Sequence, residues 1–287
     1  MSALAAAKAT GRRFVRARAL DVLSTAGQVR GAQARDLATP RVHFLYLHAV
    51  PPAEEFAFRK MLERLATTHE FVSHTEGVRR LRTGEVTRPA VSFSFDDGFA
   101  SNFRTGSILE EFGTVGMFYI PVRFPGTATV ADAQRFFRTS VDVDEPAMTW
   151  RQIDSLAERG HEIGNHTATH RNLAQLGSAE AIDDIHEGYQ TIAERYGACP
   201  HFAWPFGRRF HITPEVATAA LEIGHDTVAS AERGSHSAFT GRESAPLLLL
   251  RDHLMTSWPA RHIDHFVARG ARTPIAPYTC YPQEWLR

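Results

Sequence analysis

Two short stretches of the sequence carry residues suited to holding a metal ion and activating water. Asp96-Asp97-Gly98 has two adjacent carboxylates, whose mutual repulsion a cation would relieve. His166 and His170 are four residues apart, a spacing that places both imidazoles on one face of a helical turn. Two imidazoles and one carboxylate suit Zn²⁺, with Fe²⁺, Co²⁺ or Ni²⁺ as alternatives, and leave coordination positions open. These residues therefore indicate metal-assisted hydrolysis.

Each motif also has a purely structural interpretation. Asp-Asp-Gly is ordinary turn chemistry, and a chain with 15 histidines can hold two of them four residues apart by chance. A third stretch, Trp204-Pro205-Phe206-Gly207, would form either a rigid apolar wall beside a site or a packed turn. The position of the three motifs relative to strands and helices is needed to choose between these interpretations.

From residue 42 onwards the chain alternates between short apolar runs and helical patterns. The predicted strands are 42–47, 91–95, 115–120, 161–164, 201–204, 225–228 and 247–250, and the predicted helices are 54–65, 102–112, 150–158, 178–196 and one opening at Thr213-Pro214. Repeated strand–helix units favour an α/β fold with a parallel sheet, here a barrel of the TIM type, with an open doubly wound sheet as the alternative. All three motifs follow strands, where such barrels carry their active sites.

The chain divides into three predicted segments. Residues 1–40 are a basic extension, and up to residue 41 eight Lys and Arg residues face two Asp residues. Its apolar residues permit an amphipathic helix for a membrane surface or a partner, while a packed or solvated extension and a transit peptide are alternatives. Residues 41–273 form the predicted barrel, in which 123–148 is a long connection without clear periodicity. Residues 274–287 form a Pro-rich and aromatic strap.

Composition narrows the classes of protein. Hydrophobic residues make up 43% and charged residues 22%, which is typical of a soluble globular protein, and the net charge of +0 gives no bias toward nucleic acid. Two cysteines, Cys199 and Cys280, are too few for a disulfide framework. With neither a signal peptide nor an apolar run long enough to span a membrane, a cytoplasmic location is expected, with peripheral membrane contact through residues 1–40.

Together the three stretches resemble the motifs of the polysaccharide deacetylase family, the NodB-homology or carbohydrate esterase 4 group. Ser94-Phe95-Asp96-Asp97-Gly98 resembles its T/S-F-D-D-G motif, and the stretch from His166 to His170 resembles H-S/T-x-x-H. The stretch from Ala203 to Gly207 matches R-x-P-Y/F-G only in part. The resemblance covers residues 42 to 250 and implies a TIM-like, deformed (β/α)7 barrel.

The resemblance also implies a role for each matching residue. Asp97, His166 and His170 would hold a divalent metal, Zn²⁺ in the first place. Asp96 would be the general base for the attacking water. The backbone N–H of Phe206 would face the oxyanion, with Trp204 and Pro205 completing the substrate wall.

Two departures from the common pattern point to one branch of the family. Ala203 stands where the third motif has its arginine, and Arg251 stands where the last motif has a histidine. Both are similar to the branch that deacetylates poly-N-acetylglucosamine exopolysaccharides, in which the general acid resembles a histidine at the end of the first strand. That match makes His48 the expected acid, with His253 as the alternative, and gives Arg251 the task of orienting Asp96.

The resemblance implies a metal-dependent hydrolase that removes N-acetyl groups from the sugars of a glycan or glycan precursor. A deacylase acting on a small amide or an O-acetyl ester is the enzymatic alternative. A catalytically inactive glycan-binding protein is the non-enzymatic one. The retention of Asp96, Asp97, His166 and His170 argues against the inactive protein, since such relatives are expected to lose the base or a ligand.

Overall fold

The computed structural model describes Asp21 and residues 31–138, 144–241 and 244–286. The strands are β1 (Arg41–Leu47), β2 (Glu70–Phe71), β3 (Pro89–Phe95), β4 (Met117–Ile120), β5 (Glu162–Asn165), β6 (His201–Ala203), β7 (Thr227–Ala229), β8 (Leu247–Leu249) and β9 (Asp252–His253). The helices are α1 (Ala32–Leu37), α2 (Glu55–Ala66), α3 (His74–Thr83), α4 (Asn102–Glu111), α5 (Val130–Phe137), α6 (Trp150–Glu158), α7 (Ser178–Tyr196), α8 (Pro214–Glu222) and α9 (Ala260–Ala271). Most of the helix predicted within residues 1–40 lies outside the described residues.

The strands form one parallel sheet in the order β8-β7-β6-β5-β4-β3-β1-β9, with β2 added beside β3. The two strands at the ends of this order, β8 and β9, are separated in the chain only by Leu250 and Arg251. The opposite edges of the sheet are therefore held within a few residues of each other, and the sheet must curl around. This confirms the predicted α/β fold with a TIM-like, deformed (β/α)7 barrel.

All seven predicted strands occur, each within a few residues of its predicted bounds. Thr149 and Thr213 cap α6 and α8, accepting hydrogen bonds from the backbone N–H groups of Gln152 and Val216. Within residues 123–148, which were predicted to be a long connection without clear periodicity, the structure contains the helix α5. Thr129 caps α5 by accepting a hydrogen bond from the backbone N–H of Asp132. Because the segment has no longer apolar period, this cap was not recognised in the sequence as the start of a helix.

The barrel interior is filled by side chains from several strands. Strands β1, β4, β6, β7 and β8 all contribute to one buried cluster, and only the inside of the barrel can be reached from all of them. The residues of these strands in the cluster are Val42, Phe44, Met117, Tyr119, Ala203, Ala229, Leu247 and Leu249. On β3 the large residues Phe93 and Phe95 pack outward against helices. The alternate residues, Ser92 and Ser94, are buried and small. This alternation leaves room in the interior for one large polar group.

The loop that carries His166 and His170 is held by α7. Asp184 on α7 accepts hydrogen bonds from the backbone N–H and the hydroxyl of Thr169, at 3.1 and 2.9 Å. Asn165 donates to the carbonyl of Ile185 at 2.9 Å and accepts from the N–H of Thr167 at 2.8 Å. The stretch is an irregular loop, so the prediction of a helical turn is wrong. Its local structure is set by polar contacts with α7 rather than by helical hydrogen bonds.

The described part of the N-terminal extension and the C-terminal strap both contact the barrel. Asp36 on α1 pairs with Arg272 at 3.0 Å, and Tyr278 forms an isolated antiparallel bridge with Leu248. Tyr281 is buried beside Trp285 in a second apolar cluster.

No helix in the described residues is long and apolar enough to cross a membrane. Both cysteines are free, Cys199 buried and Cys280 exposed. The segment boundaries at residues 40 and 273 stay predictions.

We expect Gly188→Ala to destabilise the fold because α7 must approach the histidine loop closely. A Cβ at Gly188 would lie 2.1 Å from Oδ1 of Asn165 and 3.0 Å from the backbone carbon of Thr167. Forcing the helix and loop apart should lower the free energy of unfolding by about 1–3 kcal/mol, measured by urea denaturation. Gly177→Ala is the matched control, since a Cβ there meets nothing within 4 Å. Equal stabilities of the two variants would contradict this account of the packing.

Candidate active site

A cavity of about 270 Å³ opens at the carboxyl ends of the strands. The residues around it are Tyr46, His48, Asp96, Asp97, His166, His170, Phe206, His211 and Ala231. They lie at or just after the carboxyl ends of β1, β3, β5, β6 and β7, so five strands contribute residues to one cavity. This is the position at which parallel barrels place their catalytic residues. The structure therefore brings most of the predicted site residues together.

Asp97, His166 and His170 converge on one point. The Nε2 atoms of His170 and His166 lie 2.9 and 3.4 Å from Oδ1 of Asp97, and all three side chains are buried. One ligand atom from each residue lies within 4.8 Å of the others. Such a set of two imidazoles and one carboxylate is a common arrangement for a catalytic divalent metal.

The hydrogen bonds around these residues test whether a cation fits. Nδ1 of His166 lies 2.6 Å from the carbonyl oxygen of Ala203, which can only accept, so this nitrogen carries the proton and Nε2 presents a lone pair. Oδ1 of Asp97 is buried without a hydrogen-bond donor among the described residues. Electron pairs from the two residues thus face each other, and a cation between them resolves the repulsion.

The protonation states agree with this interpretation. Burial lowers the pKa of His170, so its ring is neutral at neutral pH and Nε2 is free to act as a ligand. Burial by itself would raise the pKa of Asp97, but the neighbouring His170 and His166 outweigh it and hold the pKa well below its usual range. The group at Asp97 is therefore a carboxylate, as a metal ligand must be.

The backbone of the site is strained where the ligands are presented. Five non-glycine residues of the described chain have positive φ angles, and four lie in the motifs: Asp97 at 76°, Thr167 at 67°, His170 at 54° and Phe206 at 62°. This left-handed conformation is unfavourable for residues with a Cβ and persists only where the surrounding structure enforces it. Gly98, with φ 74°, continues the turn after Asp97.

Asp96 pairs with Arg251. The guanidinium makes two parallel hydrogen bonds with the carboxylate, Nη1 to Oδ1 at 2.8 Å and Nη2 to Oδ2 at 2.9 Å. Nη1 also donates to Ser94 Oγ at 3.1 Å, and Nε donates to the carbonyl of Ser230 at 2.9 Å. Arg251 thus occupies the space left by the small side chains of β3.

The pair keeps Asp96 ionised. Burial would raise the pKa of Asp96, but the charge and hydrogen bonds of Arg251 outweigh it, and the pKa is lowered. Arg251 itself is wholly buried, with Tyr46 and Tyr119 against its faces at 4.6 and 5.1 Å from the ring centroids. The carboxylate is therefore both fixed in orientation and available as a proton acceptor.

Comparison with known proteins bears on this geometry. The profile of the polysaccharide deacetylase family matches residues 83–228, slightly more than half of the 287-residue chain. The chain belongs to the polysaccharide deacetylase family. The matched region contains all three motifs, whereas His48, Arg251 and His253 lie outside it. No curated protein matches the sequence.

Solved structures share the fold of this family member. IcaB from Ammonifex degensii superposes with a TM-score of 0.63 at 19% identity, covering 82% of this chain and 98% of that one. The Streptococcus pyogenes deacetylase PplD gives 0.62 at 16% identity, covering 80% and 99%. A de-N-acetylase from Aggregatibacter actinomycetemcomitans gives 0.59 at 16%, covering 79% and 99%. At these identities the likeness establishes the common barrel.

The structure separates the two histidines considered as the acid. His48 lies in the wall of the cavity with Asp96 and the metal-ligand set, whereas His253 does not. The rings are 5.3 Å apart, and His253 lies behind His48 on the neighbouring strand β9. Burial, together with the charges of His48 and Arg233, lowers the pKa of His253 to about 3. A ring that is neutral at every physiological pH is a poor proton donor.

The residues of the third motif lie partly in the cavity and partly in the hydrophobic core of this family member. Phe206 lines the cavity, and its ring lies 5.1 Å from that of His170. Trp204 is 0% exposed and packs in the core, so the prediction that it forms part of the substrate wall is wrong. Pro205 is also buried and does not line the cavity. The indole Nε1 of Trp204 donates to the carbonyl of Arg208 at 3.2 Å, so the ring stabilises the loop behind Phe206.

Three further residues line the cavity without having been assigned a role from sequence: Tyr46, His211 and Ala231. Tyr46 projects into the interior two residues before His48, and strand alternation was the signal that could have identified it. His211 lies in a 3-10 turn (Arg209–His211) beyond the third motif, and its ring contacts Phe206 at 5.2 Å. Ala231 follows β7 and carries no chemical signal in the sequence.

We expect Arg251→Met to destabilise the protein because Asp96 would be left charged and buried without a partner. The loss should be about 3–5 kcal/mol at pH 7 by urea denaturation. Adding Asp96→Asn to the same chain should recover at least about 2 kcal/mol, since the stranded charge is then removed.

The same comparison has a defined pH dependence. The lowered pKa of Asp96 means that the pair stabilises the fold above the carboxyl group's unfolded pKa. This contribution is lost as pH falls through the lower folded value. In Arg251→Met burial raises the pKa instead, so the penalty should shrink as pH falls from that raised folded value toward the unfolded value of about 4, because the carboxyl becomes protonated in the folded state. A loss that does not change between pH 7 and pH 4 would show that the pair is not its source.

Proposed function

We propose that this protein is a metal-dependent hydrolase that removes N-acetyl groups from N-acetylated sugars of a glycan or glycan precursor. The observation that carries the proposal is the convergence of Asp97, His166 and His170 on one point, with the ionised Asp96 beside them in the same cavity. Membership of the polysaccharide deacetylase family supports deacetylation of a glycan as the reaction class.

Asp97, His166 and His170 would hold the divalent metal, with Zn²⁺ as the first choice and Co²⁺, Ni²⁺ or Fe²⁺ as alternatives. When bound, the metal supplies Lewis acidity that polarises a carbonyl oxygen and acidifies water. The chain itself holds the ligands in place. His166 is oriented through its Nδ1 by the carbonyl of Ala203, and the loop between the histidines is tied to Asp184.

Asp96 would accept the proton of the attacking water. Its carboxylate is ionised because of Arg251, and its orientation is fixed by the two parallel hydrogen bonds from the guanidinium. Arg251 would thus be a positioning residue for Asp96, taking over the role of the arginine that the third motif lacks at Ala203. Ser94 and the carbonyl of Ser230 hold the guanidinium in turn.

The attack places negative charge on the former carbonyl oxygen of the acetamide. The backbone N–H of Phe206 is available to donate to it, since this N–H has no acceptor among the described residues. The left-handed conformation of Phe206 turns its backbone toward the cavity that its ring also lines. A preorganised donor of this kind stabilises the oxyanion without reorganisation.

His48 would then donate a proton to the departing amine. Two histidines of the cavity lie outside the metal-ligand set, His48 and His211, and of these His48 stands at the end of β1, the strand that pairs with β3 ahead of Asp96. His253 would support the position of the His48 ring from behind, at an edge-to-face angle of 75°. A small non-polymeric amide or an O-acetyl ester remains the alternative substrate, since the same residues would hydrolyse either.

We expect Asp96→Asn to abolish acetate release while the protein still binds its metal. Removing a general base typically costs 10²–10⁴-fold, so kcat should fall by about that factor. Metal content measured by mass spectrometry should be unchanged, because Asp96 is not among the three converging ligands. Asp97→Asn is the comparison, and it should lose metal and activity together. Turnover by Asp96→Asn with metal still bound would show that Asp96 is not the base.

The assignment of the acid can be tested with two leaving groups. His48→Gln should lower kcat on an N-acetylated sugar by about 10²-fold or more, because an amine leaves poorly without a proton. Hydrolysis of 4-nitrophenyl acetate should be little affected, since a nitrophenolate leaves without one. His253→Gln is the matched control and should change neither rate by more than a few-fold. Equal losses on both substrates would assign His48 a structural role instead.

A further inference from the structure

A second cavity adjoins the catalytic one. It has a volume of about 350 Å³ and shares His48 with the first cavity, so the imidazole stands between them. Its walls come from the segment after β1, with Ala49, Pro51 and Glu54, and from the segment after β9, with Leu254 and Met255. Phe99 and Asp144 close the remaining side. The two cavities therefore meet at the proposed proton donor.

This placement orients the substrate, given the proposed function. In N-deacetylation the acetyl carbonyl meets the nucleophile, while the leaving amine stays attached to the glycan. The group that protonates the amine must face it, so the sugar that carries the amine lies next to His48 and the glycan continues along the surface beside that residue. The second cavity is the space that opens there, and it is large enough for one sugar unit.

The chemistry of the walls selects among sugar units. No lysine or arginine lines the cavity within the described part of the chain, and it contains two carboxylates, Glu54 and Asp144. Glu54 accepts a hydrogen bond from the Thr256 hydroxyl, and neither carboxylate pairs with a basic side chain among the described residues. Met255, 43% exposed, and Leu254 supply apolar surface for a sugar face. An amine would be attracted to these walls, and an acidic sugar would be repelled.

We infer that the second cavity binds the sugar unit next to the one being deacetylated and prefers a neighbour with a free amine. The carboxylates of Glu54 and Asp144 would contact the ammonium group, while Ala49, Leu254 and Met255 cover the ring. One consequence concerns the order of events along a glycan. The amine made in one turnover becomes the favoured neighbour for the next, so deacetylated units arise in runs.

Three trisaccharides test this inference on the metal-loaded full-length protein. Each has a central N-acetylglucosamine, flanked on both sides by glucosamine, glucose or glucuronic acid, so each carries one acetamide. The expected order of kcat/KM is glucosamine above glucose above glucuronic acid, with steps of about five-fold for one partly exposed charge contact. Initial rates are followed by acetate release at constant ionic strength.

Variants assign the preference to the cavity. Glu54→Gln and Asp144→Asn should each raise KM for the glucosamine-flanked substrate about five-fold. The kcat, and both constants for the glucose-flanked substrate, should stay unchanged. Glu222→Gln is the matched control, because it removes the same charge from the exposed surface of α8. An equal effect of Glu222→Gln would show that overall charge, not the cavity, sets the preference.

The outcomes also distinguish this inference from the function on which it rests. Acetate release from all three trisaccharides with equal kcat/KM would overturn the cavity assignment and leave the deacetylase intact. Release from none of them, and none from N-acetylglucosamine itself, would overturn both.

Discussion

The buried ion pair between Arg251 and Asp96 is the interaction on which the catalytic end of the barrel depends. Arg251 lies in the two-residue link between β8 and β9, where the edges of the sheet come together. Asp96 follows β3, which is two strands away from β9 in the sheet. Both side chains are buried, so each would be very costly without the other. The same contact therefore connects the seam of the barrel to the proposed base and fixes the ionisation of that base.

Adjacent aspartates at the end of β3 have different partners because of the backbone between them. Asp96 keeps its link to the strand, with its N–H donating to the carbonyl of Leu47 at 3.0 Å, and its side chain meets Arg251. Asp97 adopts a left-handed φ of 76°, which turns its carboxylate toward His166 and His170. One turn thus separates a carboxylate held by a guanidinium from one that faces two imidazoles. That separation is what allows two neighbouring acids to have distinct tasks.

The proposed substrate path follows from the position of His48 between two cavities. The cavity with the metal-ligand set is also lined by Phe206, His211 and Ala231, and the acetyl group would enter it. The second is larger, has no lysine or arginine among the described residues that line it, and would hold a sugar. The scissile bond would cross from one to the other at the imidazole. In this proposal the reaction takes place in the first cavity and the second cavity sets the substrate preference, and His48 lines both.

The sequence by itself determined the strand positions, the barrel class and the three motifs, because strand alternation and the residues at strand ends are local properties. Apolar runs such as those of β1 and β3 can be recognised as strands without knowing which strands they pair with. The same local reasoning failed for the histidine loop, whose shape comes from Asp184 and Asn165 rather than from its own spacing. It also failed for Trp204, since burial depends on what packs against a ring.

Only the tertiary structure places His48, and not His253, in the cavity with Asp96 and gives Arg251 its partner. These choices depend on contacts between residues that are distant in the chain: Arg251 and Asp96 are 155 residues apart. The curvature of the sheet sets such contacts, and no periodic pattern encodes that curvature. Sequence fixes which side chains stand at the ends of strands; the closure of the barrel fixes which of them face one another.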